Sequence, residues 1–438
     1  MTASAGRRAG LGVVGALAGT LLAAQACDFS VTNPGPVQDQ YLNNPLAFSA
    51  VVNGMANAFV GGLALDATGA VAKVVACVTR ENFPSGNLLD HGCDINEEAG
   101  ILTPDASHEA TAWQGAQNAR FVAEDGIKRM EAVLGEDANT NANVAKGYMW
   151  AGFSNRVLGE NMCRAVFDGG AADTNTAHFS RAEAEFTKAI AIATAVGASQ
   201  DTVRMAAIAG RAQVRVGLGD WSGAVSDALS VPFGFKFRVN FDNIAIATYN
   251  LFSFAIASNP FRSLSVWNTP YKAYYTAYTD PRVPWKYNPK YPTGELARPC
   301  CGKVEFDAEQ KFVDLVAPMN VATGREMLLI RAEAMLRNGQ WNEAIKLVND
   351  SLRATVGVAP WAATTLTEAW TDFKFERGIE LWLEGRRLGD LRRWAATATP
   401  GALQPLEDPA NPATYLDPNR SLCFPIPTSE IQTNPNLR

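Results

Sequence analysis

Apolar side chains recur at helical spacing over much of the chain. The first clear stretch begins at Leu46. There Phe48, Val51, Val52, Met55 and Phe59 fall on one side of a 3.6-residue period and predict a helix. Residues 28–45, with Asn33, Pro34, Gly35 and Pro36, predict an extended, loop-like lead-in. The helical period returns over 113–134 and 143–158. Before these two helices, residues 77–112 are rich in Asn, Asp, Gly and Pro and show no period, which predicts a long loop region of the kind that carries function. Residues 231–239 alternate apolar and polar positions and predict a short strand. Near the end, Phe375, Ile379 and Leu383 stand at i, i+4 and i+8 with Trp382 beside them, predicting one long helix over 372–394. Its charges are spaced to pair along its own surface, Arg386 with Asp390 and Glu384 with Arg387. The tail 423–437, interrupted by Pro425, Pro427 and Pro435, predicts a docked extended segment.

One pattern repeats. Arg211, Ala212, Gly219, Trp221 and Ala224 recur 120 positions later as Arg331, Ala332, Gly339, Trp341 and Ala344. A small residue, a Gly turn, an aromatic and a further Ala form the tetratricopeptide pattern of two close helices. Phe179, Ala182, Phe186 and Ala189 fit the second helix of another such unit. Trp221 and Trp341 therefore read as packing within the repeats. Between the repeats, residues 230–325 hold a cluster of aromatics. Tyr271, Tyr274, Tyr275 and Tyr278 share one helical face, ended by Asp280-Pro281-Arg282, with Trp267 and Trp285 at its flanks. The expected fold class is mainly α: a tetratricopeptide-like helical-hairpin scaffold with long irregular loop insertions and a few short strands.

Composition narrows the function. Apolar residues make up 47% and charged residues 19%, enough for a large core. A net charge of −6 without any long basic run argues against a nucleic-acid partner. Arg7-Arg8, an Ala/Leu/Gly/Val run and Ala24-Gln25-Ala26 make residues 1–26 a secretory signal peptide. The junction reads either as an ordinary A-x-A cleavage site or as a lipobox that leaves Cys27 as a lipidated first residue. A cysteine directly at the junction favours lipidation, so Cys27 is the expected lipid anchor. Nothing after residue 27 reads as apolar enough to span a membrane. The six remaining cysteines, Cys77, Cys93, Cys163, Cys300, Cys301 and Cys423, permit disulfides in an exported chain. Cys77 and Cys93 are close enough to close a small loop, and Cys300-Cys301 is either a vicinal bridge or two separate partners. With no C-x-x-C and scattered histidines, no metal or other cofactor is expected.

Two regions carry candidate binding chemistry. Sugar rings present C–H faces that stack on aromatic planes, while tyrosine and tryptophan add a hydrogen-bonding edge. That makes Trp267, Tyr271, Tyr275 and Trp285 candidate ligand residues, although a tyrosine stripe at helical spacing also suits core packing. The second region is 80–114, with Arg80, Asn82, Phe83, Asn87, Asp90, His91 and Trp113; planar amides suit hydroxyl-rich ligands. Asn82 and Trp113 are its leading candidates. Asp94 to Glu98 reads as a solvated acidic turn. Neither H-E-x-x-H, G-x-S-x-G nor a phosphate loop occurs, and no enzymatic activity is expected.

Several of these elements resemble one family together. They are the lipoprotein-type start, the interrupted tetratricopeptide helices, Asp280-Pro281-Arg282, the run Glu376-Arg377 to Arg393-Trp394, and the tail Phe424-Pro425-Ile426-Pro427 to Asn434-Pro435-Asn436-Leu437. Over the whole mature chain they resemble the SusD/RagB family. The resemblance implies one SusD-like domain over 27–438, with an N-terminal part near 27–230 and a C-terminal part near 231–438. It further implies a surface-exposed outer-membrane lipoprotein of nutrient uptake. Such a protein binds oligosaccharides, or peptides in some members, and delivers them to a SusC-like TonB-dependent channel. The alternative is a tetratricopeptide-type scaffold lipoprotein that binds only protein partners, with a hydrolase as a third reading. The family's signature residues are scaffold, so no ligand residue carries over from them.

Overall fold

The computed structural model describes residues 39–65, 70–86, 93–257 and 261–438. The expected signal peptide, the expected lipid anchor Cys27, and the candidates Asn87, Asp90 and His91 lie outside these residues. The chain divides into Met1–Leu42 and Asn43–Arg438. Of the first unit, the described residues belong to a 3-10 turn.

The second unit is built mainly of α-helices. In chain order, α1 is Phe48–Val60, α2 Val71–Val78, α3 Ile95–Glu98, α4 Ser107–Leu134, α5 Ala142–Asn161, α6 Thr176–Val196, α7 Asp201–Leu218 and α8 Trp221–Ser230. α9 is Pro270–Tyr278, α10 Gly324–Arg337, α11 Trp341–Val348, α12 Leu366–Glu380, α13 Arg387–Ala396 and α14 Thr428–Thr433. The expected hairpins are present: α7 with α8, and α10 with α11. Gly219 and Gly339 cap α7 and lie in the turn after α10, at φ +79 and +76. The pattern needs glycine there because the left-handed region is open to it without steric cost. α4 to α8 pack each on the next, and α8 packs on α10. The two repeats thus adjoin in space although 231–323 separate them in sequence, so the interrupted array is continuous where it packs.

Phenylalanines set the spacing of this array. Phe186 of α6 lies between Gly152 of α5 and Gly210 of α7, where an added Cβ would come within 2.7 and 2.3 Å of its ring. Two turns away, Phe179 lies between Gly159 and Gly217, with corresponding distances of 2.7 and 2.6 Å. Each ring occupies the volume a side chain would need on both neighbouring helices, which draws three backbones together.

The helix Pro45–Ala64, which contains α1, is 20 residues long and has a mean hydropathy of 1.4 over an 18-residue window. By length and composition it could span a membrane, contrary to the expectation for this region. Phe48, Val52, Met55 and Phe59 are instead buried against α4 and α5. The strands are few and short. β1 (Phe83–Pro84) pairs with β5 (Leu264–Ser265), β2 (Arg164–Ala165) with β3 (Asp173–Thr174), β4 (Lys236–Val239) with β8 (Met319–Thr323), and β6 (Trp285–Tyr287) with β7 (Asp307–Glu309), all antiparallel. The expected strand over 231–239 is confined to its last four residues. The irregular 77–112 region contains β1, α3 and the start of α4. The tail is not wholly extended: Phe424 pairs with Met162, and α14 starts directly after Pro427, where a proline costs no helical hydrogen bond. Disulfides join Cys77 to Cys93, Cys163 to Cys423 and Cys300 to Cys301.

The helix expected over 372–394 is two helices. α12 ends at Glu380, Leu383 and Gly385 take φ +61 and +70, and α13 restarts at Arg387. The charges, expected to pair along one surface, are buried and reach outward. Arg386 binds Glu160 of α5 at 2.8 Å and Glu326 of α10 at 2.9 Å. Asp390 takes Arg377 at 2.7 Å and Arg393 at 2.9 Å. Glu384 binds Lys311 and Arg387 binds Glu407, each at 2.8 Å. Glu376 accepts from Arg282 at 2.6 Å, Arg353 at 2.7 Å and the Trp361 indole at 2.9 Å. The break aims these side chains in several directions, and the result is a clamp that ties α5, α10 and the 280–282 turn to one segment.

Candidate functional site

The residues around β1 and β5 assemble an aromatic site from three distant stretches. Pairing of Phe83 with Ser265 places the Phe83 ring edge-on to Trp267, with centroids 4.9 Å apart. Tyr415 stands edge-on to Phe83 from a third stretch, at 6.0 Å. Its loop is tied to both others. Arg80 Nε donates to the Thr414 carbonyl at 3.0 Å, and Asn268 Nδ2 donates to the Ala413 carbonyl at 2.8 Å. Burial pushes the Arg80 guanidinium down to about 9, with Glu98 opposing the fall. Phe83 itself is fully buried, whereas Trp267 is half-buried and Tyr415 is 39% exposed, its backbone held at φ +57.

Tyr415 lines a depression of ≈ 640 Å³ with Ile95, Pro299, Cys300, Pro409, Pro412, Leu416, Asp417 and Pro418. Four prolines and a disulfide make its wall stiff, and 59% of Ile95 is open to solvent. Its acidic neighbour is not a solvated turn as expected. Asp94 caps α3 through Asn96 and Glu97, Glu97 is enclosed against His108 at 3.0 Å, and Glu98 binds Arg298. Asp94, Glu97 and His108 converge closely enough to hold a cation. Reciprocal capping between Asp94 and Glu97, together with the hydrogen bond of His108 to Glu97, already accounts for that geometry.

The other sequence candidates are scattered. Tyr271 is 0% exposed and packs between Phe375 and Trp382, at 5.8 and 5.6 Å, so it belongs to the core. Asn82 is also 0% exposed and presents nothing to solvent. Both follow from the tertiary fold: the stripe side of α9 faces the α12 segment, and 79–86 lies beneath it. Tyr275 and Trp285 form a pair at 6.2 Å, with Lys272 Nζ 5.3 Å from the indole centroid and the Trp285 indole donating to the Lys272 carbonyl. Trp113, only 4% exposed, edges a second depression of ≈ 630 Å³ with Gln114, Asn118, Phe121 and Glu430. Trp221, expected as repeat packing alone, also borders a third cleft of ≈ 350 Å³ beside α13 and carries Arg337 over its ring at 4.7 Å. Tyr415 escaped the sequence reading. Its signal was an isolated aromatic in a loop dense in Pro, Asn and Asp.

Residues 325–438 match the model of the SusD family. No curated protein matches the chain. Among solved structures, a SusD superfamily protein from Parabacteroides distasonis is 14% identical, with 90% of this chain and 98% of that chain covered and a TM-score of 0.65. A SusD superfamily protein from Bacteroides vulgatus is 15% identical over 90% and 98%, with a TM-score of 0.64. A SusD-like carbohydrate binding protein from B. vulgatus is 14% identical over 79% and 82%, with a TM-score of 0.59. The clamp and the tail thus lie inside the segment that matches the SusD family model, and the chain shares its fold with SusD superfamily structures along nearly the whole of each.

Proposed function

We propose that the protein is a cell-surface nutrient-binding lipoprotein that captures oligosaccharide and passes it to a TonB-dependent outer-membrane channel. The observation that carries the binding role is the Trp267–Phe83–Tyr415 cluster beside a stiff-walled depression. Trp267 and Tyr415 each keep part of the ring open to solvent, and a saccharide face stacks on such rings. The similarity to a carbohydrate binding protein from B. vulgatus supports the same chemistry. The N-terminal signal and Cys27 support export and anchoring. Glu81 and Glu309 are pushed up to about 7 by burial, and both are fully enclosed in the core.

The test is calorimetric titration of residues 28–438 with panels of neutral oligosaccharides and peptides. Binding of an oligosaccharide that weakens at least tenfold in Trp267→Ala and Tyr415→Ala is expected. Binding of peptides alone would transfer the site to a different ligand. Retained affinity for a membrane protein with no small ligand would favour the scaffold reading, and product release from any glycan would overturn the binding-only role.

A further inference from the structure

The Cys300–Cys301 bond has little work to do for stability. A disulfide stabilises chiefly by closing a loop in the unfolded chain, and the gain grows with loop length. Here the separation is 1, against 260 for Cys163–Cys423. Nor is the bond needed to hold its turn in place. Arg298 and Gly302 close the base with two backbone hydrogen bonds, at 2.8 and 2.9 Å. Arg298 is itself fastened by its Nε to Glu98 at 2.7 Å and by its Nη2 to the Cys93 carbonyl at 3.0 Å. What the bond does fix is the tip. It removes the side-chain freedom of two half-buried residues, of which Cys300 lines the same depression as Tyr415.

We propose that the Cys300–Cys301 disulfide is a ligand-facing wall of that depression, a rigid sulfur platform against which the C–H face of a saccharide ring rests; this rests on the carbohydrate-binding reading above. Sulfur is polarisable and makes favourable contacts with apolar and aromatic faces. A ring closed through two adjacent residues has almost no rotamer entropy left to lose when a ligand docks, and the same is true of Pro299, Pro412 and Pro418 beside it. Tyr415 adds an aromatic plane and a hydroxyl, and Asp417 places a carboxylate at the edge for sugar hydroxyls. The depression is therefore built to accept a neutral saccharide at low entropic cost.

The experiment is titration of the full mature chain with maltohexaose, cellohexaose, xylohexaose and laminarihexaose. Wild type is compared with C300S/C301S, C300A/C301A and Y415A, with melting temperature measured on each. The expected result is that both cysteine variants bind the preferred hexaose five- to tenfold more weakly while melting within about 2 °C of wild type, since so short a loop contributes little. Selective reduction of the wild-type bond, verified by alkylation at Cys300 and Cys301 alone, gives the same loss without any substitution. Cysteine variants and reduced protein that bind within twofold of wild type, while Y415A loses affinity, overturn the platform and leave the carbohydrate reading standing. Wild type that binds none of the four sugars and none of a wider glycan panel overturns both.

Discussion

Replacing Asp390 by Asn removes one negative charge from the centre of the clamp. Asp390 is 4% exposed and holds Arg377 and Arg393 at 2.7 and 2.9 Å. Burial pushes its carboxyl up, but Arg377, Arg393 and Arg386 outweigh burial and hold it at about 2. Set against an ordinary value of 3.8, that depression corresponds to about 2.5 kcal/mol. Breaking a buried pair from one side costs about 3–5 kcal/mol, because the arginines left behind stay desolvated. A loss of about 3 kcal/mol is thus expected. At about 2.1 cal/mol/K per residue, the unfolding entropy of a unit this size is about 0.8 kcal/mol/K, so D390N melts about 4 °C lower at pH 7. The surface-helix reading, in which Asp390 meets only Arg386 one turn away, predicts about 0.3–0.5 kcal/mol and a shift below about 1 °C. Scanning calorimetry separates the two. The pH dependence checks the cause. A depressed carboxylate contributes stability that is complete above 3.8 and is lost as pH falls through about 2. The gap between variant and wild type should therefore close toward pH 2. A shift under about 1 °C at pH 7, or a gap that stays constant down to pH 2, refutes the clamp as drawn.

Gly210→Ala forces a methyl to within 2.3 Å of Phe186 and should destabilise by about 2–3 kcal/mol, with F186L in the same chain restoring part of the loss; full stability of G210A alone would contradict the packing. Glu309→Gln tests burial of a charge. Glu309 is raised to about 7 by burial from an ordinary value of 4.5, so its ionisation costs the folded state stability increasingly as pH rises from 4.5 to 7, by about 3 kcal/mol above that window. E309Q should melt above wild type at pH 8 and nearly level with it at pH 5. Tyr271→Phe removes a hydroxyl that has no hydrogen-bond partner among the described residues, so it should leave both stability and glycan affinity unchanged; weakened binding would return Tyr271 to the ligand site.

The hairpins were legible because everything they need is local. Gly219 and Gly339 mark the turns, Ala212 and Ala332 allow close approach, and the period of the flanking residues does the rest. The end of α12 was not legible in the same way. Phe375, Ile379 and Leu383 keep a helical period straight through the break, and only Gly385 hinted that the backbone would turn there. Charge pairing was misread for a related reason: spacing along one helix reveals which residues can meet locally, not whether Glu160 or Glu326 arrives from elsewhere with a better geometry. The candidate site shows the same limit. Trp267 stood out as an aromatic beside a helix, but Phe83 and Tyr415 join it through contacts spanning more than a hundred residues. Tyr271 shared its helix and its chemistry with Tyr275, and only the packing against Phe375 and Trp382 decides that it is core.

The stretch that matches the SusD family model is also the stretch that could least survive on its own. Residues 325–438 carry the recognisable sequence, yet Arg386 needs Glu160, Glu376 needs Arg282, and Glu384 needs Lys311, all outside that span. The Trp382 indole donates to the Glu81 carbonyl at 3.0 Å, and Phe424 hangs from Asn161. Cut out and expressed alone, the segment would leave Arg386 without Glu160, two buried glutamates without Arg282 and Lys311, and its tryptophan without its acceptor, and it should be unfolded. It is best regarded as a fastener rather than a module: its residues have meaning only when the rest of the chain is present to be fastened.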